Sequence, residues 1–316
     1  MESLHIFDIP PKHPCLVKKF VINFLLRELP YSKETRLHIS SLYEQNDKVD
    51  LMHMDSERLT NATLIASGKG GVGKTWFSIN LAHALGDQSK RVLLFDGDLG
   101  LSNVDIQLGL KPEWDIGSVL KRKCSFEDAI LKYKPTEDFK NHLDIIAGKA
   151  VEGAFTSVSK AGILKLKDSL TVISPKYDHM IMDLSAGLDQ IIQEFSTFAQ
   201  QCLVVVTDEP MSMSDAFAFI KVSNQRNPDL PIHIVVNKAD SDAHGKQTYT
   251  TLLQACKHFL KTTPSLVGII HRDPCVPDSI LQKTLTVTTH PNNRVAQDIK
   301  KIALELVRIN QNKVQN

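Results

Sequence analysis

From residue 61 onward the chain alternates between two patterns of apolar residues. Short runs rich in β-branched residues fall at 63–67, 91–95, 142–147, 179–183, 202–207, 232–236 and 265–270. Between them lie stretches whose apolar positions recur three and four apart, at 74–85, 163–170, 188–198, 214–222, 246–260 and 293–309. Near-continuous apolar runs predict strands buried on both faces, and the 3.6-residue period predicts the helices that cover them. The expected fold is α/β: a doubly wound, mostly parallel sheet that binds ligands at the carboxyl ends of its strands.

The first sixty residues read differently. Pro10, Pro11 and Pro14 punctuate the start, and then Leu16, Val17, Phe20, Val21, Phe24, Leu25 and Leu29 recur at helical spacing until Pro30. This predicts an amphipathic helix, with its own core, a partner protein or a membrane surface as the competing destinations. Residues 44–60 are polar and linker-like. The expected division is an N-terminal extension over 1–60, an α/β domain over 61–310 and a polar tail over 311–316.

Composition narrows the function classes. At 316 residues and 42% hydrophobic, the chain can bury a sizeable core. Lys and Arg number 37 against 36 Asp and Glu, so net charge makes no case for nucleic acid. No apolar stretch approaches the ~20 residues that span a bilayer. Met1-Glu2-Ser3-Leu4 lacks the basic and apolar regions of a secretory leader, so none is expected. Cys15, Cys124, Cys202, Cys256 and Cys275 are scattered with no C-x-x-C pair. Neither a disulfide framework nor a zinc site is expected, and a reducing cytoplasm fits. Cys202 opens an apolar run and reads as a small core residue.

The chemistry concentrates after the first strand. Gly68, Lys69, Gly70, Gly71, Val72, Gly73, Lys74 and Thr75 fit G-x-x-x-x-G-K-[ST], with a strand before and a helix from Trp76 after. That context is a P-loop: glycines let backbone N–H groups crowd around phosphates at a helix N-terminus. Lys74 is placed for the β/γ-phosphates and the Thr75 hydroxyl for Mg²⁺. Asp96 and Asp98 leave the second strand, expected beside the P-loop strand, where carboxylates can hold metal-bound water or orient an attacking water. Asp183 closes a short apolar strand, as a Walker B carboxylate does. Asn237-Lys238-Ala239-Asp240 matches the N-K-x-D guanine motif in four letters, so base choice stays open on residues alone.

Lys69, five positions before Lys74, makes the loop K-G-G-V-G-K-T. This resembles the deviant Walker A motif of the MinD/ParA superfamily. The segment from Asp96 through Asn103 to Asp105 resembles its D-x-D-x-G-L-x-N-x-D switch, and 183–188 its D-x-x-A-G-[IL] switch. LGLSNVDIQLGLKP is closest to the FlhG/FleN flagellar-number branch. Over about residues 61–309 the resemblance implies an ATPase that dimerises face to face with ATP and Mg²⁺ and hydrolyses slowly. It gives Lys69 to the partner's phosphates, Lys74 to its own site and Asp98 to the water. It gives Thr75, Asp96 and Asp183 to the metal shell, and Asn237 and Asp273 to an adenine base. His271 stands where the family carries Pro in I-P-x-D. Thr207-Asp208-Glu209-Pro210 and Ser214-Asp215-Ala216-Phe217 resemble a stretch read as structural and partner-facing.

By the same resemblance the switch controls flagellar number or placement, with an FlhF-type GTPase and basal-body proteins as partners, at the inner face of the membrane. Two features depart from the branch. Glu44-Gln45-Asn46-Asp47 lacks the pattern of its GTPase-activating D-Q-[AS]-x-x-L-R motif. Val295, Ile299, Ile302, Leu306 and Ile309 form a stripe that reads as the last core helix, not a membrane helix, leaving the N-terminal helix for membrane contact. The alternatives are a ParA-type partition ATPase, with Lys300, Lys301, Arg308 and Lys313 as its basic face, and a MinD-like positioner of another machine. An iron–sulfur carrier needs paired cysteines.

Overall fold

The computed structural model describes residues 58–99, 102–134, 143–148, 159–187 and 190–314. The predicted N-terminal helix and linker up to residue 57 lie outside them. Eight strands form one sheet: β1 (Ala62–Ser67), β2 (Val92–Gly97), β3 (Leu131–Tyr133), β4 (Leu143–Ile146), β5 (His179–Ala186), β6 (Gln201–Val206), β7 (Ile232–Ala239) and β8 (Ser265–His271). Their order is β3-β4-β2-β5-β1-β6-β7-β8, parallel throughout except β3 against β4. All seven predicted strands are present. β3 was not predicted: it has three residues, half-buried or exposed, and so no apolar run.

One expectation about neighbours needs correcting. β2 does not lie beside the P-loop strand; β5 stands between them. Sequence order does not encode the crossover. The consequence is local and close: Asp96 of β2 and Asp183 of β5 are register partners, and Ile65 of β1 pairs with Asp183 on its other side.

The main helices are α1 (Lys74–Gly86), α4 (Lys160–Ile173), α5 (Gln190–Phe198), α6 (Pro210–Arg226), α7 (Asp242–Ala255) and α10 (Arg294–Val314). All six were predicted, with shifted ends. α6 begins at Pro210, which suits the first helical position because no N–H bond is lost there. α7 begins at Asp242 because the Ser241 side chain accepts from His244 N–H. Four short helices were missed: α2 (Val104–Leu108), α3 (Ile116–Leu120), α8 (Cys275–Leu281) and α9 (Thr286–Thr289). Each is too short to show a period.

Alternation along the strands divides the core in two. Leu64 and Ala66 join Phe95, Met182, Cys202 and Phe195 on one face. Ile65 joins Phe77, Leu81, Ile181, Leu203 and the α10 stripe of Val295, Ile299, Ile302 and Leu306 on the other. That stripe is buried, so α10 is a core helix as expected. A Cβ at Gly268 of β8 would lie 2.3 Å from Ile302 Cγ1, so α10 rests directly on the strand.

α10 is also fastened at its far end. Gln201 Nε2 donates to Asn310 Oδ1 at 2.8 Å, and Asn310 Nδ2 lies 3.3 Å from Nδ1 of buried His179. Burial first, then nearby Lys90, lowers His179 to about 4. The unfolded imidazole takes a proton near its ordinary 6.5, whereas the folded one resists until about 4. Stability from this group is therefore complete above about 6.5 and is lost as pH falls toward 4, by on the order of 2–3 kcal/mol. Urea midpoints measured between those limits should fall, and His179→Gln should flatten the slope. An unchanged slope in the variant would remove His179 from the acid response.

Candidate functional site

The site grows from the β1–α1 turn. Gly73 caps α1 with φ 90°, a left-handed conformation that disfavours any side chain. Gly68 opens the loop against the backbone of α6: a Cβ there would lie 2.1 Å from the Asp215 carbonyl carbon. The loop thus curls over the N-terminus of α1, where N–H groups and the helix dipole favour an anion. A cleft of about 660 Å³ opens here, lined by Lys69, Lys74, Thr75, Trp76, Asp98 and Ser185 among others. Trp76 is buried, and its indole N–H donates to Thr286 Oγ1 at 2.9 Å.

Lys74 and Asp183 form a buried pair. Lys74 Nζ donates to Asp183 Oδ1 at 2.9 Å, and Ser78 Oγ donates to the same oxygen at 2.8 Å. Asp183 Oδ2 is buried with no partner among the described residues. That orphaned oxygen, on the partner of Lys74, and the hydroxyl of Thr75 next in the chain are oxygen donors, which a hard divalent cation prefers. The residues present therefore fit Mg²⁺ at Thr75 and Asp183.

Asp96 and Asp98 do different work. Asp96 is fully buried. Its Oδ1 accepts from Asp98 N–H, and its Oδ2 accepts from Ser102 Oγ at 2.8 Å and from the N–H groups of Asn103 and Val104. It clasps the N-terminus of α2 to the end of β2. Burial, then the Asp183 carboxylate, pushes Asp96 up to about 7, while the hydrogen bonds oppose that rise. Asp98 instead lines the cleft with Lys74 and Thr75. Ser102 also lies 3.1 Å from Asp105 Oδ1 and went unread in the sequence. No local pattern marks it: Ser102 precedes Asn103, the N-cap of α2, whose side chain makes no cap bond.

The end of β7 braces the P-loop. Asn237 Nδ2 donates to Val72 O at 2.7 Å, and its Oδ1 accepts from Lys238 N–H. Lys238, at φ 58°, donates from Nζ to Gly71 O at 2.8 Å. Asp240 pairs with Arg272 at 3.1 Å, and His244 lies 3.7 Å away. Asp273 accepts from Cys275 N–H at 2.9 Å, and the Cys275 thiol first, then this N–H, hold its carboxyl below the usual value. His271, in place of the expected Pro, sits buried against Asp298 at 2.7 Å. Asn237 thus spends its side chain on the loop, and Asp273 spends its own on the start of α8. Lys69, on the open side, reaches Glu209 Oε2 at 2.6 Å.

Residues 63–287 match the CobQ/CobB/MinD/ParA nucleotide binding domain. The chain is 30% identical over 253 residues to the antiactivator FleN of Pseudomonas aeruginosa, covering 80% of this chain and 88% of the relative. It is 29% identical over 255 residues to the flagellum site-determining protein YlxH of Helicobacter pylori, covering 80% and 84%. Among solved structures it resembles the MinC:MinD cell division protein complex of Aquifex aeolicus. There the TM-score is 0.62 at 26% identity, over 78% of this chain and 96% of that one.

Proposed function

The chain belongs to the CobQ/CobB/MinD/ParA nucleotide-binding family and is an ATP-binding ATPase, and from that premise we propose that it is an ATP-dependent dimerising switch with slow hydrolysis. One observation carries the reading: the two loop lysines occupy opposite environments. Lys74 is buried against Asp183, committed to its own site, while Lys69 stands at the open mouth of the cleft with over a third of its side chain exposed. A lysine so placed can meet the phosphates of a nucleotide held by a facing copy.

Within one subunit, the N–H groups of the loop from Gly68 to Trp76 cradle the phosphates, and Lys74 neutralises them. Thr75 and Asp183 would hold Mg²⁺, which supplies charge compensation to the phosphates when bound. Asp96 serves that shell through its clasp on α2, and Asp98 positions the attacking water. Asn237 braces the loop on the adenine side, and Asp273 is assigned to the base itself. The names of FleN and YlxH favour a flagellar role, the control of number or placement. An FlhF-type GTPase and basal-body proteins are the corresponding partners, with the ATP-bound homodimer as the active form. The proposed location is the cytoplasm, with peripheral contact at the membrane through the N-terminal extension. No helix among the described residues is long and apolar enough to cross a membrane.

The test is light scattering with Mg²⁺ and a non-hydrolysable ATP analogue. Wild type should shift from monomer to dimer. Lys69→Ala should bind the analogue with near wild-type affinity yet remain monomeric. A Lys69→Ala chain that dimerises like wild type would sink the two-lysine reading.

A further inference from the structure

Lys69 is not loose at the mouth of the cleft. Its Nζ donates to Glu209 Oε2 at 2.6 Å within the same chain, across 140 residues of sequence. Glu209 is the residue just before α6, fixed where β6 hands over to the helix. The P-loop is held by four contacts in sequence: Gly68 against the Asp215 backbone, Lys69 to Glu209, the Gly71 carbonyl to Lys238 and the Val72 carbonyl to Asn237. The other three each involve the loop's own backbone. The Lys69–Glu209 contact alone is a pair of half-exposed, flexible side chains that can separate without disturbing the loop.

We propose that Glu209 is a positioning residue that stores Lys69 in its own subunit, so that ATP-driven pairing must first break this contact. The proposal rests on the two-lysine reading above and adds its resting state. The energetics suit a latch and not a lock. An exposed ion pair is worth little, because water and salt screen it. Lys69 can therefore leave for a doubly or triply charged phosphate group, which outcompetes one carboxylate. Glu209 is not stranded when it does. Lys238 and Arg272 also act on its carboxyl, which Lys69 above all holds below its ordinary value. The acid thus keeps cationic company after Lys69 swings away.

The experiment uses the full chain and Glu209→Gln, which keeps shape and removes charge. Lys69 acetylation by dilute acetic anhydride is read by mass spectrometry without nucleotide, normalised to exposed Lys121. Glu209→Gln should raise Lys69 labelling about two- to fivefold at low salt. Raising salt from about 0.05 M to about 0.5 M should erase the difference, which a merely structural role would not do. Light scattering with Mg²⁺ and a non-hydrolysable ATP analogue should show dimers forming at correspondingly lower protein concentration. Equal labelling in variant and wild type overturns the storage of Lys69. Raised labelling with a weaker dimer overturns the latch, because Glu209 then belongs to the dimer contact itself. If wild type never dimerises, the two-lysine reading fails, and the labelling still decides whether Glu209 holds Lys69.

Discussion

Asp98→Ala should hydrolyse ATP at least about 10²-fold more slowly than wild type while binding it with near-normal affinity, the range for losing a positioned base. Three facts converge. Asp98 lines the cleft with Lys74 and Thr75, whereas its neighbour Asp96 is turned inward and occupied by four donors. The Asp98 backbone is held in place by that same neighbour, since its N–H donates to Asp96 Oδ1 at 3.2 Å. Asp98 is half-buried at the cleft wall, where an attacking water can reach it. The ATP-bound dimer should persist, making the variant a locked-on switch. Phosphate release measured at saturating ATP decides the point, and a wild-type rate would remove Asp98 from the mechanism.

Asp183→Ala should cost about 3–5 kcal/mol of stability and abolish Mg²⁺-dependent tightening of nucleotide binding. The Lys74 side chain is 8% exposed and that of Asp183 1%, so the variant leaves a buried ammonium without its counter-charge. Ser78 loses its acceptor at the same time. Burying a charge unpaired is far more costly than losing an exposed pair, which separates this substitution from Glu209→Gln. Urea denaturation measures the first effect. Calorimetric titration of ATP with and without Mg²⁺ measures the second. A variant as stable as wild type would show that Lys74 is solvated once Asp183 is gone.

Much of this fold is legible in the sequence because its strands are buried on both faces. Gln201–Val206 is buried at every position, so its composition is nearly all apolar. β3 is illegible for the opposite reason: Lys132 faces solvent, and three residues carry no pattern. The order of strands is not written in any local run, which is how β5 came to separate β2 from β1. The P-loop is legible because backbone geometry at a phosphate site demands particular glycines. Asn237 is only half legible. Its place at the end of a strand is apparent, but its bond to Val72 spans 165 residues and leaves no local trace. The same holds for Glu209, whose stretch reads only as partner-facing until Lys69 is found against it.

Trp76 has a practical consequence. It follows Thr75 directly on the wall of the cleft, and its indole is fastened to Thr286 on α9. The chain carries only one other tryptophan, Trp114, which packs against the opposite face of the sheet. The protein is therefore furnished with its own optical reporter. Its fluorescence should change when the phosphate site fills and Trp76→Phe should abolish that change, with no dye attached to a surface that a second copy must cover.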